Sequence, residues 1–207
     1  MSFKTEQENF WAGEFGDAYR ERCALEPDLV AARTACMARM LAQAAPVESA
    51  FEIGCNIGLN LMALNRVSPK TELEAIEINV GAAEAANKLG LAKVINASAL
   101  DFKPTRTYDL SMICGVLIHL NPDVLPDVYD LLFTSSNRHI LLFEYYNPTP
   151  VEVKYRGHDG RLFKRDFAGE MLDRFKGKLK LADYGFFYHR DPLSWSDDGT
   201  WFLLEKI

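Results

Sequence analysis

Short apolar runs alternate with stretches of helical spacing through the middle of the chain. Apolar residues recur every three or four positions over 28–44, which predicts a helix. The run at 49–54 ends in a glycine and is followed by a helical pattern at 59–67. This alternation predicts a parallel sheet covered by helices on both faces, with right-handed crossovers. Further apolar runs predict strands at 73–78, 93–97, 108–114 and 139–145.

The end of the chain departs from this alternation. Strand patterns at 178–188 and 200–206, joined by the loop 189–199, predict a terminal antiparallel hairpin. With the five strands before it, the hairpin predicts an α/β fold built on a doubly wound, mostly parallel, seven-stranded sheet. A chain of 207 residues has room for one domain, 1–207, in which we expect 1–45 to form an N-terminal lid and helix.

The composition is that of an ordinary globular protein, with 48% hydrophobic and 25% charged residues. The net charge of -6 argues against nucleic-acid binding and favours a small-molecule partner. The sequence shows neither a signal peptide nor an apolar run of about 18 residues, so we expect a cytoplasmic protein that does not enter the membrane. The four cysteines show no C-x-x-C spacing, which predicts buried, unpaired thiols and no metal site.

A glycine turn between the first strand and its helix is the sharpest local feature. In FEIGCNIGLN, residues 51–60, Gly54 and Gly58 flank a tight turn where a ligand can approach the backbone closely. Glu77 closes the second strand about 20 residues later, where an acidic residue of a nucleotide-binding unit accepts both ribose hydroxyls. A plain strand-to-helix turn and a solvent-exposed carboxylate are the structural alternatives.

These motifs resemble class I S-adenosylmethionine-dependent methyltransferases, with E-x-G-C-x-x-G in place of the dehydrogenase G-x-G-x-x-G. The resemblance covers the chain from Ser49 onward and implies a Rossmann-like methyltransferase fold with S-adenosyl-L-methionine as cofactor. It implies that Glu77 holds the ribose and that Ser98 stands where the family has an aspartate facing the adenine. The expected cofactor-binding residues are Glu52, Gly54, Cys55, Asn56, Gly58, Glu77, Ile78, Ser98, Ala99, Cys114, Tyr19 and Arg22.

Residues 5–22 and 144–170 resemble the methyltransferases found with pseudaminic acid biosynthesis. That resemblance implies methylation of an acidic sugar, nonulosonic or nucleotide-linked, in surface or flagellar glycan biosynthesis. The loop 155–166 is rich in cations, and guanidinium groups suit a carboxylate or a phosphate, although a solvated charged loop is the alternative. The expected substrate-binding residues are Trp11, Tyr146, Tyr155, Arg156, Arg161 and Lys164.

A hydroxyl acceptor needs a base, whereas an amine acceptor needs only an aligned neutral lone pair, and the sequence does not decide between them. His158 is the leading candidate for a catalytic base, ahead of His119 and Asp159. A structural role for His119 is the alternative. His139 is expected at the surface.

The first 20 positions carry aromatic residues at helical spacing, with glycines among them as possible bends. They predict a lid that excludes water from methyl transfer, and core packing explains the pattern equally well. The aromatic residues are Phe10, Trp11, Phe15 and Tyr19.

Two other functions compete with methyl transfer. A noncatalytic nucleotide-binding or scaffold protein would keep the fold without the chemistry. An NAD-dependent oxidoreductase is disfavoured because Leu59 and Asn60 follow Gly58 where the third glycine of its fingerprint would complete the motif. The acceptor, the methylated atom and the oligomeric state are left open by the sequence.

Overall fold

The computed structural model describes residues 3–192 and 197–207. The strands of the described chain are β1 (Ser49–Ile53), β2 (Glu72–Glu77), β3 (Lys93–Asn96), β4 (Tyr108–Cys114), β5 (Ser136–Glu144), β6 (Val151–Glu152), β7 (Phe163–Lys164), β8 (Leu179–Phe187) and β9 (Gly199–Lys206). Its α-helices are α1 (Glu6–Ala12), α2 (Glu14–Arg22), α3 (Pro27–Met40), α4 (Leu59–Val67), α5 (Val80–Lys88), α6 (Leu125–Ser135) and α7 (Phe167–Arg174).

Seven strands form one sheet in the order β3-β2-β1-β4-β5-β9-β8. The first five are parallel, β9 runs antiparallel to β5, and β8 runs antiparallel to β9. From β1 the chain extends to β3 at one edge and then returns to β4 on the other side of β1, so the switch point lies between β1 and β4. The predicted doubly wound, seven-stranded sheet with its C-terminal hairpin is confirmed.

Both faces of the sheet are buried in apolar cores. In β1, Phe51 and Ile53 point into one core and Ala50 into the other, as the two-residue period of a strand requires. Residues of α3, α4 and α5 build the core on the Ala50 side, and residues of α6 and α7 build the other. Phe51 is fully buried, and truncating such a side chain to alanine costs about 3–5 kcal/mol. The apolar strand runs therefore provide the central layer of the fold.

The helices α1 and α2 form a corner at Gly13, which is the C-cap of the first and the N-cap of the second. A capping box starts α1, because the Thr5 side chain accepts from Glu8 N and the Glu8 carboxylate accepts from Thr5 N. Gly16 lies inside α2, where a Cβ would collide with the carbonyl oxygen of Trp11. One glycine is thus a bend, and the other permits close packing within the corner.

Three local features differ from expectation. The helix predicted over 28–44 begins at Pro27 and ends at Met40, and turns continue the chain. The β6–β7 pair was not predicted, since two-residue strands have no detectable period. His139 is buried rather than at the surface, because β5 lies between β4 and β9 and His139, its fourth residue, begins the buried part of the strand. Burial lowers the pKa of His139.

All four cysteines are free thiols. Cys36 and Cys55 are buried as predicted, whereas Cys23 and Cys114 are half-buried. No helix in the described part of the chain is long and apolar enough to cross a membrane.

Candidate functional site

A cavity of about 390 Å³ opens at the carboxyl ends of β1, β2, β4 and β5, at the switch point of the sheet. Residues of α1, α2 and α3 supply further walls. The expected cofactor residues that line it are Tyr19, Gly54, Cys55, Asn56, Glu77, Ile78 and Cys114. The expected catalytic and substrate residues that line it are Trp11, His119, Tyr155 and Arg156.

The glycine turn after β1 depends on left-handed backbone at three positions. The φ angles are +76° at Gly54, +47° at Asn56 and +93° at Gly58. A Cβ at Gly54 would lie 2.6 Å from Cγ2 of Val116, a side chain with little rotamer freedom. The turn therefore brings bare backbone against the cavity, as the glycine spacing predicts.

Glu77 lies at the end of β2 with its carboxylate buried against this turn. Its oxygens accept from the backbone N–H groups of Asn56 and Asn79, each at 2.8 Å. Burial raises the pKa of Glu77 in spite of these bonds. A carboxylate has about four acceptor positions, so two further donors of a ligand can be bound. Asn79 also caps α5 through its side chain, which fixes the geometry of the strand end.

A buried carboxyl lies directly below the turn. Asn60 Nδ2 donates to Glu52 Oε1 at 2.7 Å, while Glu52 Oε2 and Asn60 Oδ1 are buried without a partner among the described residues. Burial raises the pKa of Glu52 to about 8. Asn60 lines the cavity and Glu52 does not. Buried polar atoms are normally paired, so these two oxygens indicate room for a donor from a ligand or water.

Arg33, on α3, lines the cavity on the same side, with its guanidinium 5.3 Å from the ring centroid of Phe143. Sequence reasoning missed this residue, although the signal was present. Arg33 lies three and seven positions before Cys36 and Met40, which are fully buried, so a cation stands on the apolar face of the helix. Such a placement predicts either a buried partner or a ligand.

Ser98 is engaged by α1 instead of facing the cavity. Its hydroxyl donates to the Glu8 carboxylate and accepts from Leu100 N. Glu8 lines the cavity, whereas Ser98 and Ala99 do not. The N-terminal helix therefore places a carboxylate next to Ser98, through a pairing over 90 residues that no local pattern reveals.

His119 is held as a neutral imidazole. Its Nδ1 donates to the Arg161 carbonyl oxygen at 2.6 Å, which leaves Nε2 with its lone pair. Burial lowers the pKa of His119 to about 4. The segment before it is fixed by Glu144, whose carboxylate accepts from the backbone N–H groups of Val116, Leu117 and Ile118.

Aromatic rings surround His119. Its ring lies 4.6 Å from Trp11 and 4.8 Å from Tyr155, between centroids, and Trp11 lies 5.3 Å from Tyr19. Burial raises the pKa of Tyr19 to about 12, so its hydroxyl stays protonated. This wall of the cavity combines flat apolar faces with neutral hydrogen-bonding groups.

The cations of the loop 155–166 are separated by the structure. Arg156 lines the cavity, with φ of +48°. Arg161 pairs with Glu6 at 3.3 Å and lies over the Phe10 ring, and Lys164 lies 5.1 Å from the ring centroid of Tyr145. Neither of these two is among the described residues that line the cavity.

Several other expected site residues also lie outside the described lining. His158 packs against Phe10 and Phe15, at 5.0 Å and 5.5 Å between ring centroids. Arg22 lies over the rings of Phe15 and Tyr19. Tyr146 is exposed beside Phe202, and Gly58 faces α5. Lining residues that sequence reasoning did not select include Gln7, Leu59, Ala82, Gly115, Leu120, Phe143, Glu144, Tyr145, Asp197 and Gly199.

No protein-family model and no curated protein matches this chain. Solved structures match its fold. Magnesium protoporphyrin IX methyltransferase from Synechocystis PCC 6803, with bound S-adenosylhomocysteine, has a TM-score of 0.71 at 13% identity, over 99% of this chain and 100% of that chain. The N-methyltransferase NodS from Bradyrhizobium japonicum has a TM-score of 0.65 at 15% identity, over 87% of this chain and 98% of that chain.

An O-methyltransferase from a trans-AT PKS multienzyme of Brevibacillus brevis, in complex with S-adenosylhomocysteine, has a TM-score of 0.64 at 14% identity. The match covers 84% of this chain and 71% of that chain. At such identities the likeness shows a shared Rossmann-like methyltransferase fold. The matched proteins include N- and O-methyltransferases, so the fold does not determine which atom is methylated.

Proposed function

We propose that this chain transfers a methyl group from S-adenosyl-L-methionine to a small acceptor. The observation that carries the proposal is the glycine turn after β1 closing on the buried Glu77 carboxylate, at the switch point of the sheet. Ribose hydroxyls would occupy the two acceptor positions that Glu77 keeps free. Proteins of the same fold with bound S-adenosylmethionine or S-adenosylhomocysteine support this choice of cofactor.

The unpaired oxygens below the turn fit the amino acid end of this cofactor. Asn60 Oδ1, on the cavity wall, would accept from an ammonium group, with the Glu52 carboxyl holding the Asn60 amide from behind, and Arg33 would pair with a carboxylate. We assign the cofactor carboxylate to Arg33 and not to Arg22, because Arg22 lies over the rings of Phe15 and Tyr19 and is not among the described residues that line the cavity. A nicotinamide dinucleotide has no amino acid end, so these groups favour methyl transfer over hydride transfer.

When bound, the cofactor supplies a methyl group activated by a sulfonium, and the protein aligns the acceptor and receives its proton. We assign the proton to His119 Nε2, because that ring is neutral and lines the cavity. His158 packs on the N-terminal aromatic residues instead. Glu144 positions the His119 segment through three backbone N–H groups. An acceptor hydroxyl facing His119 can then lose its proton as the new bond forms.

The proposed acceptor is an acidic sugar, nonulosonic or nucleotide-linked. The resemblance of residues 5–22 and 144–170 to pseudaminic acid-associated methyltransferases supports this class. Arg156 supports it as a loop cation on the cavity, suited to a carboxylate or phosphate. The glycan pathway rests on the sequence resemblance, and the cytoplasmic location rests on the sequence pattern.

The helices α1 and α2 form the proposed lid within a single domain. Their residues Gln7, Trp11 and Tyr19 line the cavity, so a movement of the corner would open or close this side of it. Glu8 holds the corner at Ser98, and Asp17 holds it by accepting from Asn79 Nδ2 at 2.9 Å. Closure would then exclude water from methyl transfer.

Calorimetry with S-adenosylmethionine, S-adenosylhomocysteine and NAD tests the proposal. The protein should bind the first two and not NAD. Glu77→Ala should weaken binding of S-adenosylhomocysteine by about 1–3 kcal/mol, since two ribose hydroxyls lose their acceptor. Glu72→Ala, at the exposed start of the same strand, is the control and should bind normally. Preference for NAD, or unchanged affinity in a folded Glu77→Ala variant, would contradict the assignment.

A scaffold function predicts a different result. Such a protein would bind the cofactor but would not transfer labelled methyl groups to any sugar of a cell extract. Mass spectrometry of glycans from cells with and without the protein should show a shift of one methyl group if the chain is an enzyme.

A further inference from the structure

Two residues of α1 that line the cavity each carry a buried polar atom without a partner among the described residues. The two atoms are Gln7 Oε1, which can only accept a hydrogen bond, and Trp11 Nε1, which can only donate one. The two side chains are four positions apart on one helix and therefore lie next to each other. Buried polar atoms are nearly always paired in proteins, so this donor and acceptor indicate a bound group.

The Gln7 amide is held in one orientation. Its Nε2 donates to the Gly160 carbonyl oxygen at 2.9 Å, and the side chain is only 7% exposed. With Nε2 anchored, Oε1 is the atom of the amide that is left to accept a hydrogen bond. Gly160 belongs to the loop that carries Arg156, so α1 and this loop build one wall together.

Trp11 is held by its neighbours as well. Its ring contacts Phe15, Tyr19 and His119 at centroid distances of 5.4 Å, 5.3 Å and 4.6 Å. The indole ring that carries the unpaired N–H therefore lies beside the His119 ring, to which we assign the acceptor proton. A group bound by Trp11 would be a near neighbour of the atom that is methylated.

We propose that Gln7 and Trp11 form a subsite for an uncharged part of the acceptor that presents a hydrogen-bond donor next to a hydrogen-bond acceptor. A vicinal diol and an acylamino group both have this chemistry. An ammonium would satisfy Gln7 Oε1 and leave the indole N–H unpaired, and a carboxylate would do the reverse. The subsite thus complements Arg156, which suits the acidic part. This inference rests on the proposed function, because it takes the reacting acceptor to occupy the same cavity.

Calorimetry on the full chain saturated with S-adenosylhomocysteine tests the subsite. The probes are N-acetylneuraminic acid, the matching nonulosonic acid with a hydroxyl in place of the acetamido group, and the corresponding deoxy acid. We expect one of the first two to bind, which distinguishes the acylamino group from the diol, and the deoxy acid to bind about tenfold more weakly.

Trp11→Phe keeps the aromatic contacts and removes the N–H, and Gln7→Leu removes the acceptor. Each substitution should lower the affinity for the probe that the wild type binds by about tenfold and leave the affinity for S-adenosylhomocysteine unchanged. Asn9→Leu, on the exposed side of the same helix, is the control and should bind like the wild type.

Two outcomes overturn the subsite while the proposed function stands. One is a wild-type protein that binds S-adenosylhomocysteine but neither of the first two acids. The other is a pair of folded variants that bind the probes as tightly as the wild type. Failure of the wild type to bind S-adenosylhomocysteine would overturn the proposed function itself, and the subsite with it.

Discussion

The two halves of the cavity are built in different ways. The half proposed for the cofactor consists of strand ends and backbone, with Gly54, Asn56 and Glu77 held within 24 positions of the chain by neighbouring parallel strands. The half proposed for the acceptor brings Trp11, His119 and Tyr155 together from α1, from the segment after β4 and from the loop between β6 and β7. The geometry of the first half is set by neighbouring strands of the sheet, while the geometry of the second half depends on how separate segments dock.

This difference explains what each half can recognise. Backbone at the switch point suits a ligand common to many proteins of this fold, because its geometry comes from the sheet. Side chains from docked segments can vary without disturbing the sheet, so they suit an acceptor peculiar to this chain. Mutations in the two halves should therefore separate cofactor affinity from acceptor chemistry.

The largest expected effect lies in the acceptor half. His119→Asn should lower the maximal rate by about 100-fold to 10,000-fold, because the acceptor hydroxyl loses its base. Affinity for S-adenosylhomocysteine should be unchanged. Single-turnover kinetics and calorimetry measure the two quantities, and His189→Asn, in an exposed pair with Asp198, is the control. If the folded His119→Asn variant keeps the wild-type maximal rate, His119 has a structural role and is not the base.

In the cofactor half, Gly54→Ala should weaken binding of S-adenosylhomocysteine by more than about tenfold. A left-handed alanine costs about 1–2 kcal/mol, and the new Cβ meets Val116 as well. Gly90→Ala is a matched control, since φ there is +68° with open space around the Cβ position. Calorimetry on both variants separates loss of the site from backbone strain. Equal affinities would mean that the turn does not contact the cofactor.

A smaller effect should distinguish the two loop arginines. Arg156→Ala should weaken binding of an acidic sugar by about tenfold, as expected for one charge-assisted hydrogen bond. Arg161→Ala should instead speed amide exchange in α1, because Arg161 pairs with Glu6 of that helix. Hydrogen exchange and calorimetry on both variants check this. If Arg161→Ala weakens binding of the acidic sugar and Arg156→Ala does not, Arg161 is the substrate contact.

The smallest effect is a pH dependence of stability. Because the pKa of His119 is lowered to about 4, the unfolded chain binds a proton below about pH 6.5 that the native chain does not, so His119 destabilises the protein as pH falls. Between pH 7 and 4.5 the wild type should lose about 1–3 kcal/mol more than His119→Asn. Denaturant unfolding at the two pH values measures this.

The buried carboxyls give the opposite trend and serve as an internal check. The pKa values of Glu52 and Glu144 are raised to about 8, so their contribution to stability is present at low pH and is lost as pH rises through 8. Both groups are present in the wild type and in His119→Asn, so their effect cancels in the comparison. Identical pH profiles would show that His119 is solvated.

The fold and the cofactor half were largely readable from the sequence. Strand runs, the glycine spacing and Glu77 are local or nearly local signals, because parallel strands place the ends of consecutive βα units at one edge. Asn60 belongs to the same motif and was missed only as a lining residue. Arg33 was also detectable, as a cation on the apolar face of α3.

Only part of the acceptor half could be predicted from the sequence. The aromatic spacing of the N-terminus pointed to Trp11 and Tyr19, but nothing local could show that Glu8 bonds Ser98 or that Gln7 bonds Gly160. The cations of the loop 155–166 look equivalent in sequence. Folding turns Arg156 toward the cavity and pairs Arg161 with Glu6.

By itself the sequence determined the order of elements, the seven-stranded sheet and the turn at its switch point. These follow from hydrophobic period and from glycine conformation, which act over a few residues. Only the tertiary structure decided which histidine and which loop cation line the cavity, and which polar atoms of α1 are buried without partners among the described residues. Those properties depend on docking between distant segments, as in the Gln7–Gly160 bond over 153 positions, and burial exists only after that docking.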